Sequence, residues 1–160
     1  MRNLIINRFN TLSLVLIFGV IQIGNAQSSK MMPKDGSTVK MSKYTFGETV
    51  DILKGAIEEQ NLMVIHVVDG QKMLRMAGKN IKGMKQIFYF HPKFMRRVIE
   101  ANKEAAIQIP LKFIVMEKPN GNVIVRYFKP SKVLNDYSGV EAISNELDSL
   151  VNIIINEITN

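Results

Sequence analysis

The segment Gln86-Ile-Phe-Tyr-Phe-His91-Pro92 is the densest aromatic run of the chain. Its aromatic and β-branched side chains predict a buried strand over residues 84–91. Pro92 cannot extend that strand and is favourable at the first position of a helix, so the chain is expected to pass from strand to helix here. The segment therefore joins a core strand to a helix, and it carries one of the two histidines of the protein at the junction.

The residues before this segment predict a strand, a helix and a second strand. Residues 38–44 alternate in the manner of a strand. Thr45 and Glu48 then have the spacing of a capping box at a helix start. That helix is expected to end near Asn61, because asparagine tolerates the left-handed backbone of a helix end. The β-branched run over residues 62–69 predicts a second strand, expected at the centre of the sheet.

The remaining residues complete an α+β pattern. Residues 71–77 predict a short helix before the aromatic strand. Residues 111–117 and 122–129 predict two strands joined by a Lys-Pro-Asn-Gly turn, since Asn-Gly supplies the positive φ angles of a tight hairpin. An apolar stripe over residues 140–158 predicts a long closing helix. The acidic residues expected to face solvent on it are Glu141, Glu146, Asp148 and Glu157. The order β-α-β-β-β-β-α favours an antiparallel sheet with helices on one face.

The first residues have the pattern of a secretory signal. Arg2 and Arg8 precede an apolar run over residues 12–23, and small residues follow it. This run is shorter than the roughly 20 apolar residues that a membrane-spanning helix needs. The predicted divisions are a cleaved signal peptide (1–26), a flexible leader (27–37) and a single α+β domain (38–160). The predicted location is the periplasm, the exterior or the cell surface of a bacterium, and the absence of cysteine is compatible with it.

The positive charge of the chain is concentrated in one part of the sequence. The whole chain has 21 basic and 14 acidic residues, a net charge of +7. Between Gly70 and Glu104 there are nine basic residues and two acidic ones, so this segment alone carries +7. In an exported protein this favours a small anionic ligand, a membrane surface or an acidic partner over nucleic acid. The alternative is a solvated basic face that aids solubility.

A candidate binding site lies where this basic segment reaches the predicted helix after Pro92. The backbone N–H groups of a helix start favour an anion, and arginine can hold a carboxylate or phosphate by two hydrogen bonds. Asp69 ends the preceding strand and is expected near the same end of the sheet. The predicted ligand-binding residues are Asp69, His91, Lys93, Arg96 and Arg97.

Catalysis finds no support in the sequence. There is no Gly-x-Ser-x-Gly elbow, phosphate-binding loop or Gly-x-Gly-x-x-Gly pattern. His66 and Asp69 are three positions apart on one predicted strand, so their side chains should point to opposite faces. His66 is therefore expected to pack among apolar neighbours. The sequence favours a non-enzymatic protein over an enzyme, with no catalytic residue and no cofactor.

Two alternatives to anion binding stay open at this point. Met73, Met76 and His91 could bind cuprous copper, since thioethers suit that ion. The spacing of the two methionines is equally typical of a buried helix face. The other alternative is a structural homo-oligomer, in which the aromatic strand lies at a sheet edge and pairs with a second copy.

The chain resembles the bacterial domain of unknown function 302 family over residues 44–158. That family shows a phenylalanine at its first helix, an Asp-His pair, a Phe-Gly-Asn-Pro turn, a Leu-Pro and a Gly-x-x-x-x-x-Tyr. The corresponding residues here are Phe46, Asp69, Phe90-His91-Pro92, Ile109-Pro110, and Gly121 with Tyr127. The resemblance implies a TATA-binding-protein-like fold and no settled activity. Two departures are Gly70, where the family has histidine, and His91, which replaces the Gly-Asn of the turn.

Overall fold

A five-stranded antiparallel sheet is the framework of the computed structural model, which describes residues 33–160. The strands are β1 (Thr38–Met41), β2 (Met63–Asp69), β3 (Met84–Phe90), β4 (Leu111–Glu117) and β5 (Val123–Tyr127). The helices are α1 (Phe46–Glu59), α2 (Gly70–Met76), α3 (Pro92–Ala101), a 3-10 helix (Lys103–Gln108), α4 (Pro130–Val133) and α5 (Glu141–Thr159). The predicted α+β class and the order of its principal elements are confirmed. The predicted signal peptide lies outside the described residues.

The strands lie side by side in the order β1-β5-β4-β3-β2. Strand β3 is therefore paired on both sides, and β2 lies at the edge. The expectations of a central second strand and of an aromatic strand at the edge are both wrong. The physical reason is that β3 pairs with β2 on one side and with β4 on the other. No described strand then remains to pair with the outer side of β2.

Aromatic side chains of three neighbouring strands form the centre of the core. The ring of Phe113 on β4 stacks on Tyr89 of β3 at 4.6 Å between centroids, and it meets the edge of Tyr127 on β5 at 5.5 Å. Helices α1 and α5 pack on each other on this face, where Leu53 and Leu147 are completely buried. The sheet and the two long helices thus share one core.

Burial raises the pKa of the Tyr89 hydroxyl above its ordinary value of 10.0, because a charged phenolate in the core would lose its hydration. Burial likewise raises the pKa of Tyr127. Because the pKa of these tyrosines is higher in the folded than in the unfolded chain, their burial contributes fully to the free energy of unfolding below pH 10. This contribution is lost as the pH rises beyond 10.

Several connections follow their sequence signals. The Thr45 N–H donates to the Glu48 carboxylate at 3.0 Å, and the Glu48 N–H donates to the Thr45 hydroxyl, which confirms the capping box of α1. Asn61 has a φ of 54°, as expected just beyond a helix end. Gly121 has a φ of 85° in the turn between β4 and β5, whereas Asn120 does not have the positive φ expected for it. Local turn and cap chemistry therefore determines where these elements end.

The last residues of the predicted leader are attached to β5. The Arg126 guanidinium donates to the Ser37 hydroxyl at 2.8 Å and to the Asp35 carboxylate. Hydrogen bonds from the backbone and then the hydroxyl of Ser37, followed by Arg126, hold the pKa of Asp35 below its usual value. Residues 33–37 therefore belong structurally with the domain, and residues 27–32 lie outside the described part of the chain.

The aromatic core yields a direct stability prediction. Substitution of Phe113 by alanine should lower the free energy of unfolding by about 3–5 kcal/mol, because it removes both ring contacts and leaves a cavity. Phe128→Ala is the matched control, since this ring is 39% exposed and should cost far less. Urea denaturation of both variants measures the difference. Equal losses would contradict the assignment of Phe113 as the centre of the core.

Candidate functional site

The start of α3 is capped by a histidine side chain. The Lys93 N–H donates to Nδ1 of His91 at 3.0 Å, and the Met95 N–H donates to the His91 carbonyl at 3.0 Å. Pro92 occupies the first helical position and has no N–H. In this first turn, only the Phe94 N–H lacks a partner among residues 33–160. The helix start therefore offers an anion one amide rather than several, and positive side chains must supply the rest.

Those side chains do meet at a cleft, which we call the α3 cleft. It has a volume of about 540 Å³ and is lined by Pro92, Lys93, Phe94, Arg96, Arg97 and Glu146. The lining combines three cations with one carboxylate, a net charge of +2. The Arg97 guanidinium lies 5.2 Å from the centre of the Phe94 ring, so cationic and apolar surfaces are adjacent. Such a lining suits a ligand that has both a negative group and an apolar part.

Two ion pairs hold the arginines of the cleft in different ways. The Arg97 guanidinium binds the Glu146 carboxylate at 2.7 Å, and both side chains are only about half exposed. The Arg96 guanidinium is 3.6 Å from the Glu100 carboxylate one helical turn away, where both are highly exposed. An exposed pair of this kind contributes little. Arg97 is therefore a fixed part of the cleft wall, whereas Arg96 can exchange Glu100 for a ligand at small cost.

Glu146 is a part of the site that sequence reasoning missed. The periodicity of α5 predicts a solvent-facing residue, and the side chain is indeed half exposed, but it also binds Arg97 at the rim of the cleft. The contact depends on the packing of α5 beside α3, and it joins two residues nearly fifty positions apart in the chain. No local pattern in the sequence carries that information.

Asp69 does not join the α3 cleft. In the antiparallel ladder of β2 and β3, Asp69 pairs with Lys85 and Met63 pairs with Phe90. Asp69 is thus six residues, or roughly 20 Å, from the strand end that precedes His91. Its carboxylate accepts a hydrogen bond from the Lys72 N–H at 2.8 Å and caps α2. The expected proximity of Asp69 and His91 is wrong, because the end of one antiparallel strand lies beside the start of the next.

The residues of the alternative copper site also remain apart. Met73 and Met76 are 60% and 81% exposed on α2, which packs near the start of β3, whereas His91 follows the end of that strand. Because both methionines are exposed, the interpretation that they form a buried face of α2 is also wrong. Among residues 33–160, no group of three or more His, Asp or Glu side chains is arranged to hold a metal ion.

His66 differs from its expected position. A bulge between Val64 and His66 shifts the register of β2 against β3. A one-residue shift moves the following side chains to the other face of a strand. His66 is therefore exposed on the edge strand, and the prediction that it packs among apolar neighbours is wrong.

The basic segment is divided between two ends of the sheet. Lys72, Arg75 and Lys79 lie on or just after α2, at the start of β3. The cations of the α3 cleft lie beyond its other end, about 20 Å away. This separation exceeds the Debye length of about 8 Å at physiological salt, so the two groups attract ligands independently. The charge seen in the sequence is two patches rather than one.

The fold and the cleft define a class: a two-layer α+β domain with a basic, partly apolar surface cleft. The sequence matches the Domain of unknown function DUF302 over residues 38–158, and the chain belongs to this family. The fold is similar to the crystal structure of an uncharacterized conserved protein DUF302 from Bacillus stearothermophilus, with a TM-score of 0.70 and 15% identity, covering 76% of this chain and 97% of that one. No curated protein matches the sequence. None of the helices within residues 33–160 has the length and hydropathy to cross a membrane.

The residues that carry the family resemblance have structural roles in this chain. Asp69 and His91 cap helices, Gly121 forms the hairpin turn and Tyr127 lies in the aromatic core. The Phe46 ring packs so closely on Gly83 that a Cβ there would lie 2.8 Å from it. These contacts account for the residue type at each of these positions by its role in the fold, and no catalytic role is needed to explain them.

At Gly70, where the family has histidine, the side chain of another residue occupies the space. A Cβ at Gly70 would lie 2.3 Å from the terminal methyl group of Met84. The methionine therefore occupies the space into which a side chain at this position would project. The Asp-His pair of the family has no equivalent here.

The cap of α3 can be tested by substitution. His91→Ala should lower the free energy of unfolding by about 1 kcal/mol, because the Lys93 N–H loses its acceptor. His91→Asn should retain most of the stability, since asparagine is a good N-cap. His66→Ala is the matched control, as this exposed histidine makes no side-chain hydrogen bond within the described residues. Thermal denaturation measures all three, and equal effects of the two alanine variants would exclude the cap.

Proposed function

We propose that the protein is a non-enzymatic binding module that recognises a small organic anion in the α3 cleft. The observation that supports this function is the convergence of Lys93, Arg96 and Arg97 on one cleft against a single carboxylate. Its volume of about 540 Å³ is in the range of small-molecule sites. The same chemistry would recognise a free anion, a lipid headgroup or an acidic group of a partner protein.

The three cations have separate roles in the proposed complex. Arg97 is oriented by Glu146 and by the Phe94 ring, so it presents a fixed surface. Lys93 makes no ion pair within residues 33–160, and Arg96 makes only an exposed one. These two side chains can close on a carboxylate or phosphate by charge-assisted hydrogen bonds. The apolar surfaces of Pro92 and Phe94 then receive the organic part of the ligand.

The predicted signal peptide completes this proposal by placing the module outside the cytoplasm. The ligand would then be an anion of the periplasm or of the outer medium. Export of the chain is part of the proposal, and it rests on the pattern of residues 1–26 alone.

Isothermal titration with phenyl phosphate tests the binding function, since this probe has both an anionic and an apolar part. Lys93→Gln/Arg96→Gln should weaken binding about tenfold or more, because each charge-assisted hydrogen bond contributes about 1.5–3 kcal/mol. These substitutions leave the Arg97–Glu146 pair intact. Lys72→Gln/Arg75→Gln removes the same charge from the distant α2 patch and should change the affinity by less than about twofold.

Four further results decide the outcome. Affinity for phenyl phosphate should fall as salt is added, and inorganic phosphate should bind more weakly because it lacks the ring. Equal losses in both double variants would show a general charge effect and would refute a local site. Binding to anionic vesicles but not to soluble phenyl phosphate would show that the ligand is a lipid headgroup, and it would exclude a free organic anion.

A further inference from the structure

The sheet has a second face, opposite to the one that α1 and α5 cover. On the central strand β4, Phe113 and Val115 are buried in the core, and the residues that alternate with them point to this second face. Ile114 and Met116 are only half-buried there. We call this surface the open face. Apolar residues on both sides of a strand are typical of a sheet that is covered on both faces.

Strand register shows that the apolar side chains of the open face are continuous. Met116 pairs with Met84 on β3 and with Ile124 on β5, and Ile124 pairs with Met41 on β1. This row therefore crosses four strands without a polar residue. The next row along the strands consists of Val39, Arg126, Ile114, Gln86 and Val68. Met41 is 60% exposed at the outer end of the apolar row.

The extent of the open face is appropriate for a stable protein contact. Five strands about 4.8 Å apart and up to seven residues long give a surface of roughly 24 by 23 Å, on the order of 500 Å² in projection. Protruding side chains make the accessible area larger, and a standard interface buries about 800 Å² per partner. The projected area is that of the whole face, in which the apolar row lies beside Arg126 and Gln86. An apolar centre with polar residues around it is usual for a protein interface.

The charges of the open face argue against an anionic occupant. The Arg126 guanidinium is bound by Asp35 and Ser37, and the Lys112 ammonium lies over the Phe88 ring at 5.7 Å from its centre. Within the basic segment, Lys85 lies on β3 but pairs with the buried Val115, so it points away from the open face. The remaining cations of that segment lie before or after β3. A nucleic acid or an anionic membrane would require several cations on the contact surface itself. An apolar partner fits better.

We propose that a second copy of this chain packs against the open face, sheet on sheet, to form a two-fold dimer with the helices outside. Two copies have the same twist, and sheets of the same twist pack face to face about 10 Å apart. The methionines can adjust to their counterparts because their side chains are flexible. The α3 cleft stays accessible in this dimer, since Glu146 lies on α5 on the covered side of the sheet.

Sedimentation velocity of the protein expressed from the full chain tests this dimer. The wild type should sediment as a dimer at micromolar concentration. Ile114→Lys should raise the dissociation constant by a hundredfold or more, because it places a charge at the centre of the contact. Ile153→Lys is the matched control, as this isoleucine is 44% exposed on α5, and it should leave the dimer intact.

Cross-linking provides a second measurement that does not depend on the stability of the lysine variant. The chain has no cysteine, so Ile114→Cys and Ile153→Cys each introduce a single thiol. A bis-maleimide reagent with a spacer of about 10 Å should join two copies through position 114, near the two-fold axis, and not through position 153. A monomeric wild type, a dimer that survives Ile114→Lys, or a cross-link at 153 alone would overturn the proposal.

Discussion

The contact of Phe113 with Tyr89 and Tyr127 joins the three interior strands of the sheet, and the positions of both proposed surfaces depend on it. These rings fix which face of β3, β4 and β5 is covered by α1 and α5. Strand alternation then requires Ile114 and Met116 to point away from the helices. The same core holds α5 beside α3, where Glu146 can reach Arg97. One buried aromatic cluster thus positions the α3 cleft and exposes the open face.

The length of β3 explains why a continuous basic segment does not form a continuous surface. Its seven residues separate Lys72 and Arg75 from Lys93 and Arg96 by about 20 Å. Only the second group is combined with a cleft, a fixed arginine and an aromatic wall. The exposed α2 group has the character of a solvated face, which is the reading that the sequence offered for the whole segment. Architecture therefore divides one sequence feature into two parts with different properties.

Sequence reasoning predicted the elements whose limits depend on local chemistry. The capping box at Thr45, the Asn-Gly turn and the helix start at Pro92 all act within a few residues, and each is found where expected. The errors concern long-range geometry: the edge position of β2, the distance from Asp69 to His91 and the Arg97–Glu146 pair. Lys93, Arg96 and Arg97 were found because they are neighbours on one helix. The open face was missed, although the sequence of β4 contains a signal for it. Ile114 and Met116 alternate with buried residues, so both sides of this strand are apolar.

The central claim is that the α3 cleft, and no other basic surface, binds an organic anion. Chemical-shift mapping of the ¹⁵N-labelled protein during titration with phenyl phosphate tests it most directly. The claim predicts saturable shifts of the backbone amides of residues 93–97, the Phe94 N–H foremost, together with the amide of Glu146 across the cleft. The amides of residues 70–79 should not move. Shifts centred on α2, or shifts that do not saturate at any site, would contradict the claim.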